Sequence, residues 1–204
     1  MKRSYTTILI PGLQDTENKR KAYKFLLRSW PAKYNITPII FEARWSDGKE
    51  TFEHKLNRLL TLIDSATAKP VSLSLIGASA GGSLAFNAYY QRSNKIGELI
   101  NVCGRLRRGV NVKPSLEWAA RNSNSFFDSV INCERGLSNL TTRDKDKILT
   151  MQALYDEIVP NSTSTLDGAT NIKVFSVEHM LTGLLSLTLY SKRIIDFILF
   201  HPRE

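Results

Sequence analysis

One serine of the sequence stands in a setting that suits a nucleophile. Ser79 lies in the segment Gly77-Ala78-Ser79-Ala80-Gly81-Gly82, between the β-rich run Val71–Ile76 and the helical pattern Gly81–Gln91. A serine hydroxyl becomes reactive when a tight turn holds it beside a base, and such a turn needs small neighbours. This G-x-S-x-G pattern predicts that Ser79 is a nucleophile. A plain glycine-rich turn is the alternative interpretation.

One of the three histidines is placed where it could act as the base. His179 follows the β-rich run Ile172–Val177 and precedes a helical pattern. His54 falls on an amphipathic helix and His201 in the C-terminal tail, so both are expected at the surface. An imidazole at the end of a strand can take a proton from a serine hydroxyl. A purely structural histidine is the alternative for His179 taken by itself.

An acidic pair follows the fifth β-rich run. Asp156 and Glu157 come directly after Ile148–Leu154 and are followed by Val159-Pro160. A carboxylate at the carboxyl end of a strand can reach a histidine on the next loop and fix its tautomer. The spacing to Val159-Pro160 favours Asp156 over Glu157 for this role. A turn or helix-capping aspartate is an equally good interpretation of Asp156 alone.

Strand-like and helix-like segments alternate along the 204 residues. This alternation predicts a single α/β domain over residues 1–204, a three-layer sandwich with a mostly parallel sheet and helices on both faces. The clearest amphipathic helix is Glu50–Ile63, and further helices are expected at Lys19–Trp30 and Thr182–Leu199. The predicted strands are Thr6–Ile10, Thr37–Phe41, Val71–Ile76, Glu98–Val102, Ile148–Leu154 and Ile172–Val177.

The stretch 104–145 is longer than a simple crossover requires. We interpret it as a cap or lid insertion, and the alternative is a crossover helix with a decorated loop. Its bulky side chains Trp118, Phe126 and Phe127 are candidates for lining an apolar substrate site, and Arg105 for meeting an anionic group. Packing of the aromatic residues and solvation of the arginine are the structural alternatives.

The order Ser79, Asp156, His179, each after a separate predicted strand, resembles the α/β-hydrolase superfamily. The resemblance implies a reduced version of that fold, with about six strands in a flavodoxin-like order and the first strand central. It also implies an oxyanion hole formed by the backbone N–H groups of Leu13 and Ala80. Pro11 and Glu178 depart from the residues that are frequent in the family at these places.

The resemblance implies a serine hydrolase that cleaves a carboxylic ester of a small acyl substrate through an acyl-enzyme intermediate. The same three residues would serve an amidase, a thioesterase or an acyltransferase. A binding protein that keeps the fold without catalysis is the alternative from another class. No cofactor is implied.

The composition limits the cellular location and the binding partners that we expect. Lys and Arg number 28 against 19 Asp and Glu, a net charge of +9, but the basic residues are scattered, so no nucleic-acid partner is expected. No apolar run is long enough for a membrane span or has the form of a signal peptide. We therefore expect a cytoplasmic protein with Cys103 and Cys133 as free thiols and without a metal cluster. The oligomeric state is left open.

Overall fold

The computed structural model describes residues 4–46, 48, 50–68 and 71–200. The strands are β1 (Tyr5–Ile10), β2 (Ile36–Ile40), β3 (Ser72–Ala78), β4 (Ile96–Val102), β5 (Ile148–Ala153) and β6 (Thr170–Val174). The α-helices are α1 (Glu17–Leu27), α2 (Trp30–Tyr34), α3 (Phe52–Ala66), α4 (Gly81–Arg92), α5 (Leu116–Ala119), α6 (Asn124–Leu137), α7 (Thr142–Asp146), α8 (His179–Leu187) and α9 (Ser191–Phe200), with a 3₁₀ turn at Asn161–Thr163.

The six strands form one sheet in the order β2-β1-β3-β4-β5-β6, and every neighbouring pair is parallel. This confirms the predicted parallel sheet and its flavodoxin-like order. The first strand is not central, because β1 lies next to the edge strand β2 with four strands on its other side. Strands covered on both faces are apolar along their whole length. Ile8, Leu9 and Ile10 are accordingly all fully buried.

Alternate residues of the strands face two separate helical layers. Ile8 and Leu75 pack with α3, α4 and α6, whereas Leu9 and Ile76 pack with α1, α8 and α9. The period of two along a strand sends successive side chains to opposite faces. The predicted three-layer sandwich is therefore confirmed.

The stretch 104–145 contributes a helix to one of these layers. Val130 and Cys133 of α6 are fully buried, and Ser129 joins α6 to α4 by a 2.8 Å contact between its hydroxyl and that of Ser83. Asn87 of α4 also donates to the backbone carbonyl of Ser129 (2.9 Å). This packing fits the alternative interpretation, a crossover helix with decorated loops. The cap or lid insertion at 104–145 stays a prediction.

The C-terminal region differs from the sequence-based expectation. The predicted helix over Thr182–Leu199 is two helices, because the chain turns at Thr188, where the Tyr190 N–H reaches back to the carbonyl of Leu185 (2.9 Å). The last strand also lies two to three residues earlier than predicted. Among the described residues no helix is both long and apolar enough to cross a bilayer.

Candidate active site

Ser79 occupies a sharp turn between β3 and α4. Its backbone has φ +52°, in the left-handed region that residues other than glycine rarely adopt. Two hydrogen bonds hold this conformation: the Ser79 N–H donates to the carbonyl of Val102, and the Gly82 N–H donates to the carbonyl of Ser79, each at 2.9 Å. The turn lifts the side chain out of the sheet at the carboxyl ends of the strands.

The small residues around Ser79 are required by close backbone contacts. A Cβ atom on Gly77 would lie 2.6 Å from both the carbonyl oxygen of Gly81 and the Cα of Gly82. A Cβ on Gly81 would lie 2.1 Å from the carbonyl oxygen of Ile10 in β1. Glycine at these positions therefore allows β1, β3 and α4 to meet closely enough to form the turn.

The structure brings Ser79, His179 and Asp156 together in one chain of contacts. The Nε2 atom of His179 lies 2.9 Å from the Ser79 Oγ, and its Nδ1 atom lies 2.7 Å from an Asp156 carboxylate oxygen. The side chains of His179 and Asp156 are only 5% and 2% exposed, so bulk water does not compete for their contact.

The two acidic residues of the β5 loop have different places. One oxygen of Asp156 accepts the N–H groups of Ile158 and Val159 (2.9 and 2.7 Å), which leaves the other oxygen for the imidazole of His179. The Glu157 carboxylate instead accepts the backbone N–H of His179 (3.0 Å). Asp156 thus orients the ring, whereas Glu157 holds the backbone that carries it.

Glu178 determines how the histidine enters its helix. Its carboxylate accepts the N–H groups of Met180 and Leu181, so it caps α8, and His179 is the first helical residue. A carboxylate at the N-terminus of a helix is favourable because it satisfies N–H groups that have no helical partner. Glu178, noted above as a departure from the pattern that the chain resembles, therefore has a local structural role as the cap of α8.

The loop after β1 passes directly over Ser79. A Cβ on Gly12 would lie 2.8 Å from the Cβ of Ser79 and 3.2 Å from its Oγ. Within the part of the chain that the structure describes, the backbone N–H groups of Leu13 and Ala80 have no acceptor. The oxyanion hole formed by these two N–H groups stays a prediction.

A buried tryptophan that sequence reasoning missed fixes this loop. The indole N–H of Trp45, a residue that is 1% exposed, donates to the carbonyl oxygen of Pro11 (2.9 Å). The contact orients the Pro11–Gly12 peptide and so the chain that carries Leu13. Trp45 is 34 positions away from its acceptor in the sequence, so no local motif predicts the contact. The usable signal is that Trp45 lies in the loop after β2, at the same edge of the sheet as Ser79.

An apolar pocket opens beside Ser79 between α1 and α8, with a volume of about 250 Å³. Apart from Lys19, Tyr23, Ser79, Cys103 and His179, its lining side chains are purely hydrocarbon, a thioether or absent. The lining residues are Lys19, Ala22, Tyr23, Leu26, Ala78, Ser79, Val102, Cys103, His179, Met180, Gly183, Leu184 and Leu187.

The other substrate-contact candidates lie away from this pocket. Phe126 is buried in the core against Trp45, with ring centroids 6.0 Å apart, and Phe127 packs against the same core. Trp118 is 54% exposed and stacks with Arg121. The buried Arg105 donates to carbonyl groups of its own loop, among them those of Pro114 (3.0 Å) and Arg108 (2.6 Å). None of these four residues lines the pocket beside Ser79, and their contact with substrate stays a prediction.

Cys103 also lines the pocket and stands near the acid and the histidine. One ligand atom from each of Cys103, Asp156 and His179 lies within 4.8 Å of the others, a spacing open to a metal ion. Burial, together with the charge of Asp156, raises the pKa of the Cys103 thiol. A metal binds the thiolate, which this setting disfavours, and the other two residues are engaged with each other. We therefore assign no metal to this group.

The chain is similar in fold to known hydrolases. Est1E from Butyrivibrio proteoclasticus superposes with a TM-score of 0.66 at 15% identity, covering 98% of this chain and 88% of that one. A lipase-esterase related protein from Clostridium acetobutylicum gives 0.64 at 14% identity, with 99% and 96% covered. A meta-cleavage product hydrolase from Pseudomonas fluorescens gives 0.62 at 12% identity, with 96% and 90% covered.

No family model and no curated protein matches the sequence. The structural comparisons span nearly the whole chain. The protein therefore has the α/β-hydrolase fold, in a reduced form with six strands. At these identities the similarity defines the fold, and the chemistry has to be argued from the site itself.

The close contacts at Gly77 predict a measurable cost for a methyl group there. Gly77→Ala should lower the free energy of unfolding by about 1–3 kcal/mol, because the new Cβ forces β3 away from α4. Gly183→Ala on α8 is the matched control: nothing lies within 4 Å of its Cβ position, and alanine in a helix should raise stability by about 0.5–1 kcal/mol. Urea unfolding measures both. Equal stability of the two variants would contradict this account of the turn.

Proposed function

We propose that the protein is a serine hydrolase that cleaves a carboxylic ester through an acyl-enzyme intermediate. The observation that carries the proposal is the unbroken chain from the Ser79 hydroxyl through the His179 imidazole to the Asp156 carboxylate, at 2.9 and 2.7 Å. A nucleophile, a base within hydrogen-bond reach and a third group that orients the base are the parts that covalent acyl transfer needs. The similar folds include enzymes named as esterases, lipases and hydrolases, which supports the same reaction class.

In the proposed reaction the Nε2 atom of His179 takes the proton of the Ser79 hydroxyl as its Oγ attacks the acyl carbonyl. The Nδ1–H of the resulting imidazolium donates to Asp156, whose negative charge stabilises it. His179 then gives the proton to the departing alcohol, and the acyl group remains on Ser79. A water that gives its proton to His179 attacks the acyl-enzyme, and the serine is restored as the acid leaves.

The negative oxygen of each tetrahedral intermediate requires donors that are already in place. We assign this role to the backbone N–H groups of Ala80, which follows Ser79 in the chain, and of Leu13, which follows Gly12 in the loop over Ser79. Ala80 precedes α4, whose N-terminus has no side-chain cap. The partial positive charge at this end of α4 adds to the stabilisation of the oxyanion.

The pocket between α1 and α8 suits an apolar acyl group. Its apolar lining includes Leu26, Leu184 and Leu187, and its volume of about 250 Å³ is below that of most sites for drug-sized molecules. Each methylene buried there stabilises the complex by about 0.8 kcal/mol. The proposed substrate is therefore an ester whose acyl chain enters this pocket, rather than one held by Arg105 or by the aromatic residues of 104–145.

The first test is labelling by a fluorophosphonate, together with hydrolysis of p-nitrophenyl esters of increasing acyl length. The wild-type chain should be labelled at Ser79, and its kcat/KM should rise by up to about fourfold for each added CH₂ until the pocket is filled. Ser79→Ala should abolish labelling and lower kcat by about 10³-fold or more.

Ser138→Ala, which changes an exposed serine far from the site, is the control and should behave as wild type. A wild-type chain that stays unlabelled would indicate a binding protein with this fold. Labelling combined with turnover of amides or thioesters but not of esters would assign the same residues to a different acyl bond.

The two acidic residues of the β5 loop give a second, paired test. Asp156→Asn removes the charge that stabilises the imidazolium, so kcat should fall by about 10³–10⁴-fold with little change in KM. Glu157→Gln keeps an oxygen that accepts the His179 backbone N–H, so its kcat should stay within about tenfold of wild type. Steady-state kinetics on an ester substrate measures both. A larger loss for Glu157→Gln would reverse the assignment.

Trp45 is proposed as a positioning residue for the oxyanion hole. Trp45→Phe removes the donor to the Pro11 carbonyl and frees the loop over Ser79, so kcat should fall by about 10- to 100-fold, less than loss of an oxyanion donor itself. KM should change little because Trp45 does not line the pocket. Trp118→Phe, at an exposed tryptophan, should leave both constants unchanged. Reduced stability of Trp45→Phe with unaltered kcat would mean that the contact is only structural.

A further inference from the structure

The pocket between α1 and α8, here called the acyl pocket, contains one strongly basic side chain. Among the described residues that line it, Lys19 has the only ammonium or guanidinium group. The Lys19 Nζ donates to the side-chain oxygen of Gln14 (2.8 Å), which is a neutral acceptor. Within the described part of the chain Lys19 belongs to no ion pair, so no carboxylate there compensates its charge.

The basic residues that follow Lys19 in α1 differ from it, because both have carboxylate partners. Arg20 pairs with Asp15 (3.0 Å), and Lys21 pairs with Glu17 (2.7 Å). Burial lowers the pKa of the Lys19 ammonium, because the group loses part of its hydration. A partly desolvated charge is stabilised by an ion of opposite sign that binds beside it. Lys19 is therefore suited to bind an anionic group of a ligand.

Two helical stripes with the same spacing form the walls of the acyl pocket. The α1 stripe is Lys19, Ala22, Tyr23 and Leu26, and the α8 stripe is Met180, Gly183, Leu184 and Leu187. Such spacing places each set on one face of its helix. Both helices follow parallel strands, so both begin at the carboxyl edge of the sheet, where Ser79 lies. Lys19 and Met180 are therefore at the end of the pocket near Ser79, and Leu26 and Leu187 are at the far end.

The hydrogen bond to Gln14 also places the Lys19 ammonium beside the loop that passes over Ser79. Gln14 comes two residues after Gly12, whose Cβ position lies 2.8 Å from the Cβ of Ser79. The ammonium is therefore held near the reacting ester and away from the far end of the pocket. An acyl chain would occupy that hydrocarbon end, where an anionic group loses hydration without gaining a partner. An anion that binds Lys19 therefore belongs on the other side of the ester bond, in the alcohol part.

The acidic residues near the opening of the pocket are already engaged. Asp15 accepts the guanidinium of Arg20 and the backbone N–H of Arg44, each at 3.0 Å. Glu157 and Glu178 accept backbone N–H groups at the start of α8. None of these three carboxylates lines the pocket, so each keeps its partners when an anion binds Lys19.

We propose that Lys19 binds an anionic group on the alcohol part of the substrate, so that the substrate class is an ester with an apolar acyl chain and a negatively charged alcohol. This inference rests on the proposed function, because it adds the alcohol part to the ester that Ser79 attacks. A hydrogen bond from an ammonium to an anion is stronger than one to a neutral oxygen. The substrate therefore replaces Gln14 as the partner of Lys19.

The test compares two chromogenic esters that differ in charge, 3-butanoyloxy-4-nitrobenzoate and its methyl ester. Both release a nitrophenol, and only the first carries a carboxylate on the leaving group. After correction for spontaneous hydrolysis, wild-type kcat/KM should be about tenfold or more higher for the carboxylate, mainly through a lower KM. This ratio should fall as salt is raised, because salt screens the charges. Equal kcat/KM for both esters at low salt would overturn the proposal.

Three variants assign the charge preference to one residue. Lys19→Met removes the charge and keeps an unbranched side chain, so the ratio of the two kcat/KM values should fall about tenfold, whereas Lys19→Arg should keep it within about threefold. Lys21→Met is the matched control, because it removes an equal charge from an exposed residue that pairs with Glu17, and it should leave the ratio unchanged. A fall of the ratio in Lys21→Met as large as in Lys19→Met would overturn the proposal. So would an equal fall in kcat for both esters in Lys19→Met, since this would mean that Lys19 only fixes the loop through Gln14.

A second pair of esters, mono-p-nitrophenyl adipate and its methyl ester, tests which side of the ester bond carries the anion. Here the carboxylate is on the acyl chain, so the wild-type chain should prefer the methyl ester. A preference for the free carboxylate that Lys19→Met abolishes would overturn the placement of the anion in the alcohol part.

The failure of this inference and the failure of the proposed function give different results. Labelling of Ser79 and turnover of both nitrobenzoate esters without a charge preference would refute the role of Lys19 and leave the hydrolase standing. Absence of labelling and of turnover of every ester would refute the proposed function itself.

Discussion

The contact between Asp156 and His179 is the constraint on which the arrangement of the site depends. An imidazole and a carboxylate, both almost fully buried, are costly to remove from water unless each satisfies the other. Their 2.7 Å contact joins the β5 loop to the first turn of α8, and the ring then reaches Ser79 on a third element. Local hydrogen bonds at Glu157 and Glu178 hold the backbone on either side of the ring, so the contact does not depend on a long flexible loop.

The two faces of the sheet differ in how they are packed near Ser79. On one face α4 and α6 are tied together through Ser129, and the buried Trp45 fixes the loop over Ser79, so this side is a rigid support. On the other face α1 and α8 leave a gap beside the same serine. Precise placement of reacting groups requires a rigid support, and entry of a substrate requires an open gap.

Much of this could be predicted from the sequence because the informative signals are local. The small residues around Ser79 and the acidic and basic residues at strand ends are readable from a few positions, and the parallel sheet brings strand ends to one edge. The position of Phe126 could not be predicted, since an aromatic residue in a long connection looks the same whether it packs inward or lines a site. The partners of Arg105 could not be predicted for a related reason: they are backbone carbonyls, which the sequence does not distinguish.

The position of the pocket follows from how a short chain covers its sheet. The stretch 104–145 supplies α6 to the layer over one face, and its buried Val130 and Cys133 commit it to the core. Side chains that are buried in the core cannot also line an opening beside Ser79, because moving them out would leave a cavity. The opening therefore falls to the first and last parts of the chain, where α1 and α8 meet the carboxyl edge of the sheet with apolar side chains still exposed. In a reduced fold of this kind, the substrate-facing residues are better sought in the helices next to the nucleophile and the histidine than in the longest connection.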